Sequence, residues 1–285
     1  MTTSSPQETN SPQETETSAV VTFANVRIGF DEGDILRDVS FAVMPRETLV
    51  LLGETGTGKT LTLKMAAGLL RPMRGKIEVL GQEVSSLSER DLLAYRRQLG
   101  FVFQEGALFD SLSVYENVAY GLREERVAEE EIESRVLEAL RFVELEHTGE
   151  MLPSELSGGM RRRVSIARAL ATRPPIVLYD SPTAGLDPVT AQTIITLILR
   201  LRDVYGVTAM LATHRLQDGF ALAKFRFDAE SKRVVRLTEA ENAASENEPP
   251  TRFMVYRDGR VYFEGAPEEF AESKDAYLQR FLASI

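Results

Sequence analysis

Hydrophobic and polar positions change their spacing several times along the chain. Before residue 85 the apolar residues form short alternating or continuous runs that predict β-strands: AVVTFANVRIGF, ILRDVSFAV, ETLVLLG and GKIEVLGQEV. The third run leads into a glycine-rich turn and then into TLTLKMAAGLL, whose spacing predicts a helix. This alternation predicts an α/β core with an antiparallel β portion around Ala19–Val43.

The middle of the chain has the spacing of helices instead. From Glu129 to Glu146 apolar residues fall three to four positions apart among charged ones, on one helical face. A second helical pattern, MRRRVSIARALATR, follows Gly158 and Gly159. We therefore expect a helical subdomain, over about residues 105–172, inserted into the α/β core.

The α/β pattern returns after this helical part. PPIVLYD and VTAMLATH predict strands, and VTAQTIITLILRLRDVYG between them predicts a helix. Residues 251–285 predict a hairpin around Asp258 and Gly259 followed by a short amphipathic helix. The polar stretch 226–250 interrupts the pattern and predicts either an inserted excursion or a mobile loop. Residues 19–285 are thus expected to form one domain.

Composition narrows the class of protein. Residues 1–18 are polar, repeat SPQET and lack the basic and apolar regions of a signal peptide, so we predict a disordered tail. No stretch approaches the roughly 18 apolar residues of a membrane span. The absence of cysteine excludes disulfides and thiolate metal sites and fits a cytosolic protein. A net charge of -10 argues against general nucleic-acid binding but not against a local phosphate site.

The glycine-rich turn carries the most specific motif. GETGTGKT fits G-x-x-x-x-G-K-[ST] at every fixed position, and it lies between a predicted strand and a predicted helix. Backbone N–H groups of such a loop converge on phosphate oxygens, its lysine reaches the β- and γ-phosphates, and its last hydroxyl coordinates Mg²⁺. The residues that we assign to ATP binding are Gly53, Glu54, Thr55, Gly56, Thr57, Gly58, Lys59 and Thr60.

A carboxylate ends the predicted strand IVLYD. In phosphate-loop ATPases an aspartate at this place holds Mg²⁺, directly or through water. A strand-end aspartate alone is weak evidence, but together with the phosphate loop it makes Asp180 a metal-site residue.

Further motifs identify a family. LSGGM at Leu156–Met160, Gln104, AGLD at Ala184–Asp187 and His214 after a strand follow the phosphate loop in a characteristic order. With them the chain resembles the ATP-binding subunit of ABC transporters, over roughly residues 20–225 plus the hairpin. The resemblance implies a phosphate-loop NTPase core with an antiparallel β subdomain and an inserted α-helical subdomain.

The resemblance also implies roles for single residues. Phe30 matches the aromatic that stacks on adenine, with a core aromatic as the alternative. Gln104 matches the residue that ligates Mg²⁺ and senses the γ-phosphate. His214 matches the histidine that contacts that phosphate, with a buried structural histidine as the alternative. The arginines at 161–163 are interpreted as a surface charge run, and His147 is assigned no role.

In this family two ATPase subunits pair head to tail. Ser157, Gly158 and Gly159 of one chain would cap the ATP on the phosphate loop of the other, and Asp187 would lie at the same interface. We expect a homodimer, in which ATP holds the subunits together and hydrolysis releases them.

One position departs from the family. A glutamate that polarises the attacking water is expected directly after Asp180, and this chain has Ser181. A hydroxyl orients water but is a poor proton acceptor, and losing a general base costs about 10²–10⁴ in rate. Three hypotheses follow: turnover is slow, His214 or Glu105 positions the water, or a different subunit supplies a competent site. We favour slow turnover.

Three shorter stretches of the sequence suggest which substrate is transported. The stretch EGALFDSLSVYENVAYGLRE after Gln104, where the family docks its membrane subunit, LSGGM in place of LSGGQ, and the ending RFMVYRDGRVYFEGAPEEF resemble the lipid-transport branch. That branch acts at the cytoplasmic face of the inner membrane with a permease and a mammalian-cell-entry-type (MCE) lipid-binding protein. Helical pairing alone also explains the apolar residues of Leu108–Leu122. The alternatives are a non-transport ABC ATPase and a non-hydrolysing ATP-binding regulator.

Overall fold

The computed structural model describes residues 18–30, 33–237 and 251–283. The predicted disordered tail lies outside these ranges except for residue 18, as does the end of the polar stretch from residue 238. No helix within the described ranges is both long and apolar enough to cross a bilayer.

A six-stranded sheet forms the centre of the fold. Its members are β3 Thr48–Leu52, β6 Leu99–Val102, β7 Ile176–Asp180, β8 Thr208–Ala212, β11 Thr251–Arg257 and β12 Arg260–Gly265. They lie in the order β12-β11-β3-β8-β7-β6, and all neighbours are parallel except β11 and β12. Helices cover both faces, so β3, β7 and β8 are buried throughout, as expected for near-continuous apolar strands.

A second, antiparallel sheet packs beside the first. It contains β1 Val21–Phe30, β2 Gly33–Val43, β4 Arg74–Val79 and β5 Gln82–Glu83 in the order β2-β1-β4-β5. Alternate residues of β1 are buried, and Phe23 stacks on Phe41 of β2 with ring centroids 4.6 Å apart. The predicted antiparallel β portion is confirmed.

The helices of the described residues include those that the spacing predicted. They are α1 Lys59–Ala66, α2 Glu89–Arg96, α3 Val114–Glu124, α4 Glu129–Phe142, α5 Gly158–Ala171, α6 Pro188–Tyr205, α7 Leu216–Lys224, α8 Pro267–Glu272 and α9 Ala276–Leu282. The buried faces of α3, α4 and α5 share one apolar core with the main sheet. The predicted helical patterns are present, while the limits of the helical subdomain remain a prediction.

The polar stretch after α7 contains a hairpin, so the prediction of a mobile loop is wrong for its first part. β9 Phe225–Asp228 and β10 Arg233–Arg236 pair antiparallel, with Phe227 opposite Val234. Both side chains are half-buried and pack on the main core. Apolar residues in a charged sequence thus supply enough contact to order the hairpin.

Two adjacent charged residues of α6 attach this hairpin to the rest of the fold. Arg202 is 5% exposed, and its Nε lies 2.6 Å from Oδ1 of Asp203. Its Nη2 donates to the carbonyl of Phe225 over 2.9 Å, while the N–H of Phe227 donates to Oδ2 of Asp203 over 2.6 Å. The pair therefore satisfies backbone groups on the edge of β9.

Replacing Arg202 with Met is predicted to lower the free energy of unfolding by about 3–5 kcal/mol, because Asp203 and buried carbonyls lose their partner. Urea unfolding measures the change. The matched control Arg233→Met removes an exposed guanidinium of the hairpin and should change stability by less than about 0.5 kcal/mol. Equal effects of the two substitutions would contradict the anchoring role.

Candidate nucleotide-binding and active site

The phosphate loop joins β3 to α1 and depends on glycine at Gly58. This residue has φ +102° and is the N-cap of α1. A Cβ at this position would lie 2.4 Å from Cδ2 of Leu36. The left-handed backbone and the close contact both disfavour a side chain at this position. Glycine is therefore the residue that fits where the loop joins α1.

The Lys59 side chain bonds to the phosphate loop from inside. Its Nζ donates to the carbonyls of Gly53 and Glu54, each over 2.7 Å, and the Thr57 hydroxyl donates to the same Glu54 carbonyl over 2.8 Å. Burial lowers the pKa of Lys59 to about 8, although Asp180 and Glu54 oppose the shift. The ammonium is thus held where phosphate oxygens would replace two carbonyls.

Thr60 and Asp180 meet across the sheet edge. The Thr60 hydroxyl donates to Oδ1 of Asp180 over 2.9 Å, and Asp180 is 6% exposed. The described residues contain no group of three or more acidic, histidine or cysteine side chains that could hold a metal alone. A hydroxyl and a carboxylate fit Mg²⁺ that takes its other oxygens from phosphate and water.

A cleft of about 390 Å³ opens above these residues. Its lining includes eight of the seventeen predicted site residues: Thr55, Gly56, Gly58, Lys59, Thr60, Gln104, Ser181 and His214. Ile35 and Leu61 also line it and were not predicted. His214 is exposed, so the alternative of a buried structural histidine is wrong.

Phe30 lies at the end of β1 and does not line the cleft. It is 59% exposed, which excludes the alternative of a core aromatic. Phe30 pairs with Gly33 at the turn of the β1–β2 hairpin, whose second strand brings Ile35 to the cleft. Its stacking on adenine remains a prediction.

Ser181 stands on a sharp turn directly after β7. Its φ is +48°, which is uncommon for a residue other than glycine. The Ser181 N–H donates to the carbonyl of Ala212 over 2.8 Å, and its carbonyl accepts from Nη1 of Arg162 over 2.9 Å. The turn is thus bonded on both sides and places Ser181 in the lining of the cleft.

The interpretation of residues 161–163 as a surface charge run is wrong. Arg162 is 5% exposed, and its Nη1 also donates to the carbonyl of Pro182 over 2.8 Å. Burial lowers its pKa. The helical spacing from Gly159 to Arg162 and Ile166, all on the buried face of α5, could have revealed this position. Arg162 therefore braces the turn that carries Ser181.

The residues of the LSGGM motif lie away from this cleft. Ser157 caps α5 by accepting from the N–H of Met160 over 3.2 Å. Asp187 caps α6 by accepting from the N–H of Thr190 over 3.0 Å. Hydrogen bonds from the side chain and then the backbone of Thr190 lower the pKa of Asp187. A Cβ on Gly159 would lie 2.4 Å from Cγ2 of Thr190, so the two helix starts pack closely. Ser157, exposed Gly158 and Asp187 thus form one surface that does not line the cleft.

Comparison with known proteins identifies the family. A family model described as ABC transporter matches residues 36–184. The chain is 33% identical to the intermembrane phospholipid transport system ATP-binding protein MlaF of Haemophilus influenzae, over 89% of this chain and 87% of that protein. The chain belongs to the ABC transporter ATP-binding family. It is an ATPase of that family.

Other members are similar over shorter parts of their own length. The methionine import ATP-binding protein MetN 2 of Bacillus cereus is 38% identical over 69% of this chain and 59% of that protein. Among solved structures, a dimeric ATP-binding cassette bound to ADP and Pi aligns with a TM-score of 0.71 and 29% identity, over 86% of this chain and 98% of that one. CbiO1 of Clostridium perfringens aligns with a TM-score of 0.73 and 27% identity, over 89% and 91%. The ABC ATPase fold is confirmed.

The lowered pKa of Lys59 predicts a pH dependence of ATP binding. Phosphate requires the charged ammonium, so ATP affinity should fall as the pH rises through about 8, and binding at pH 8.5 should take up a proton. Calorimetric titrations in two buffers of different ionisation enthalpy measure that proton. In the Lys59→Arg control the guanidinium stays charged and the uptake should vanish. Uptake that persists in this variant would assign the proton to another group.

Proposed function

We propose that this chain is the ATP-hydrolysing subunit of an ABC transporter that moves phospholipid between bacterial membranes. The observation that carries the lipid assignment is the alignment with MlaF, which extends over most of both chains. The second candidate function is to power an ABC transporter that imports a small solute. The spermidine/putrescine import ATP-binding protein PotA of Haemophilus ducreyi is 31% identical over 95% of this chain but only 64% of that protein.

A membrane subunit is the expected partner. The stretch after Gln104 exposes Phe109 and Tyr120, each 43% exposed, with ring centroids 4.7 Å apart. Buried Asn117 holds this surface by accepting from the N–H of Phe109 over 2.8 Å and donating to the carbonyl of Leu112 over 3.0 Å. A rigid exposed aromatic pair suits docking of a permease helix. The chain would then lie at the cytoplasmic face of the inner membrane, with an MCE-type protein as a further partner.

ATP binding would join two copies of the chain. Each copy would supply Lys59 and the loop amides of its cleft to phosphate, and Phe30 at the end of β1 to adenine. Ser157, Gly158, Gly159 and Asp187 would approach the cleft of the other copy, which agrees with their position outside their own. Dimeric forms of a similar cassette support a dimer.

Within the cleft each side chain has a proposed task. Mg²⁺ would be held by Thr60, Asp180 and Gln104 and would neutralise phosphate charge. His214 would contact the γ-phosphate, and the Ser181 hydroxyl would orient the attacking water. Phosphoryl transfer depends mostly on positioning and charge stabilisation, so turnover survives without a carboxylate at 181 but is slow.

Ser181→Glu is predicted to raise ATP turnover at least about tenfold, because a carboxylate restores general-base assistance worth about 10²–10⁴. Phosphate release by the purified chain with its permease measures the rate, with Lys59→Ala as the blank. Ser181→Gln is the matched control, since it has the same length but no basic carboxylate, and should not accelerate hydrolysis.

The same experiment separates the alternatives. ATP binding without turnover in wild type would support a regulator or one half of an unequal pair. Turnover that does not respond to Ser181→Glu would indicate that Glu105 or His214 already positions the water. Loss of the rate in Glu105→Gln would then assign this role to Glu105, and an unchanged rate would assign it to His214.

The cargo is tested with the complete transporter in vesicles. Transfer of labelled phospholipid to an acceptor protein should require ATP and should stop in Lys59→Ala, since the motor no longer binds phosphate. Methionine and spermidine uptake are assayed in parallel. ATP-dependent uptake of either solute without lipid transfer would overturn the lipid assignment, and co-purification with ribosomes or DNA in place of a membrane protein would overturn the transport role.

A further inference from the structure

Three buried polar side chains form a cluster beside the cleft without lining it. Thr183 is fully buried, Thr213 is 1% exposed and Asp218 is 3% exposed. They come from three places: the turn after β7, the turn after β8 and the first turn of α7. Burying a polar side chain costs free energy unless it is hydrogen-bonded, so we expect each of these three side chains to be hydrogen-bonded.

Asp218 pairs with every other member of this cluster. One carboxylate oxygen, Oδ2, accepts a short hydrogen bond from the hydroxyl of Thr183 and a second, of 3.2 Å, from that of Thr213. The other oxygen, Oδ1, lies 3.6 Å from Nε of Arg215. The Thr213 hydroxyl also accepts from the Arg215 N–H over 2.9 Å. The carboxylate is thus bonded to both neighbours of His214.

The carboxylate itself is fixed to the sheet. Its neighbour Gly219 would place a Cβ 3.0 Å from the ring of Phe253, so α7 lies directly on the main sheet. Leu216 in the same turn is 3% exposed. Asp218 therefore stands on a rigid element, while both partners that it holds belong to turns at the edge of the cleft.

Within the described residues, the backbone joins the two turns only where they begin. There the Ser181 N–H donates to the carbonyl of Ala212 over 2.8 Å. Beyond this point, Asp218 is the side chain that bonds the turn of Ser181 to the turn of His214. A small shift of either turn would misplace a group at the γ-phosphate.

We propose that Asp218 is a positioning residue for ATP hydrolysis, which holds His214 in register with the Ser181 turn through Thr183, Thr213 and Arg215. This inference rests on the proposed role of the cleft. Burial raises the pKa of Asp218, opposed by the hydrogen bonds and by Arg215, so the carboxylate carries a cost that a merely space-filling residue would not.

Steady-state kinetics and nucleotide binding test the proposal together. Asp218→Asn keeps the shape but weakens the bonds, and should lower kcat about 10- to 100-fold, as expected for misplaced groups. The Kd for a fluorescent ATP analogue should change less than about twofold, because Lys59 and the loop amides are untouched. Thr183→Val removes one hydroxyl at constant shape and should act in the same direction, while Thr183→Ser should recover most of the rate.

A spectroscopic measurement reports on His214 directly. The chain has two histidines, so imidazole NMR resolves His214 and uses His147, which is remote from the cluster in sequence and assigned no role, as an internal control. Asp218→Asn and Thr183→Val should shift the His214 signals and leave those of His147 unchanged. Thr183→Ser should restore the wild-type spectrum.

The possible outcomes distinguish a positioning role of Asp218 from a purely structural role. Unchanged kcat and unchanged His214 signals in Asp218→Asn and Thr183→Val would overturn the positioning role. Parallel losses of kcat, ATP affinity and thermal stability, not recovered by Thr183→Ser, would make the cluster purely structural and also overturn it. If wild type binds ATP but shows no turnover, the proposed hydrolysis fails separately, while the NMR comparison still decides whether Asp218 holds His214.

Discussion

Parallel hydrogen bonding between β3, β8, β7 and β6 brings the ends of four strands to one edge of the sheet. The residues that follow these strands supply the phosphate loop, His214, Ser181 and Gln104 in that spatial order. The 2.9 Å bond between Thr60 and Asp180 depends on this register, since the two residues are 120 positions apart. Ligands of open α/β sheets bind at the carboxyl ends of the strands for the same reason: helices cover both faces, and only this edge gathers the loops.

The loops around the cleft are held mainly by arginines that donate to backbone carbonyls. On α5, Arg162 holds the turn of Ser181, and Arg168 donates to the carbonyls of Gly106 and Ala107 over 3.0 and 2.8 Å, directly after Gln104. The helix that starts with the LSGGM motif is therefore bonded to two sides of the cleft. A planar guanidinium with several donors suits this task, because one side chain satisfies carbonyls that would otherwise be buried unpaired. A movement of α5 would therefore displace the loops that these arginines bond.

Ser181 changes the chemistry of the cleft without changing its architecture. The strand, the turn with positive φ and the bracing guanidinium are all present, and the carboxylate expected from the family pattern is the part that differs. Hydrolysis would then depend more strongly on the placement of the remaining groups. Under the proposed mechanism, this dependence would make the buried hydrogen bonds of Asp218, on either side of His214, important for turnover.

The sequence by itself determined the strands, most helices and the phosphate loop, because these depend on local periodicity and on glycines that the backbone geometry requires. It also predicted Lys59 and Thr60 as site residues from the phosphate-loop motif, and Asp180 from the strand end that accompanies this motif. It did not reveal that Arg162 is buried or that Asp218 joins two turns, since both depend on elements far apart along the chain. The hairpin after α7 was missed because its few apolar residues gain stability only by packing on α6. Tertiary structure decided these points, since burial and pairing are properties of the assembled fold and not of a sequence window.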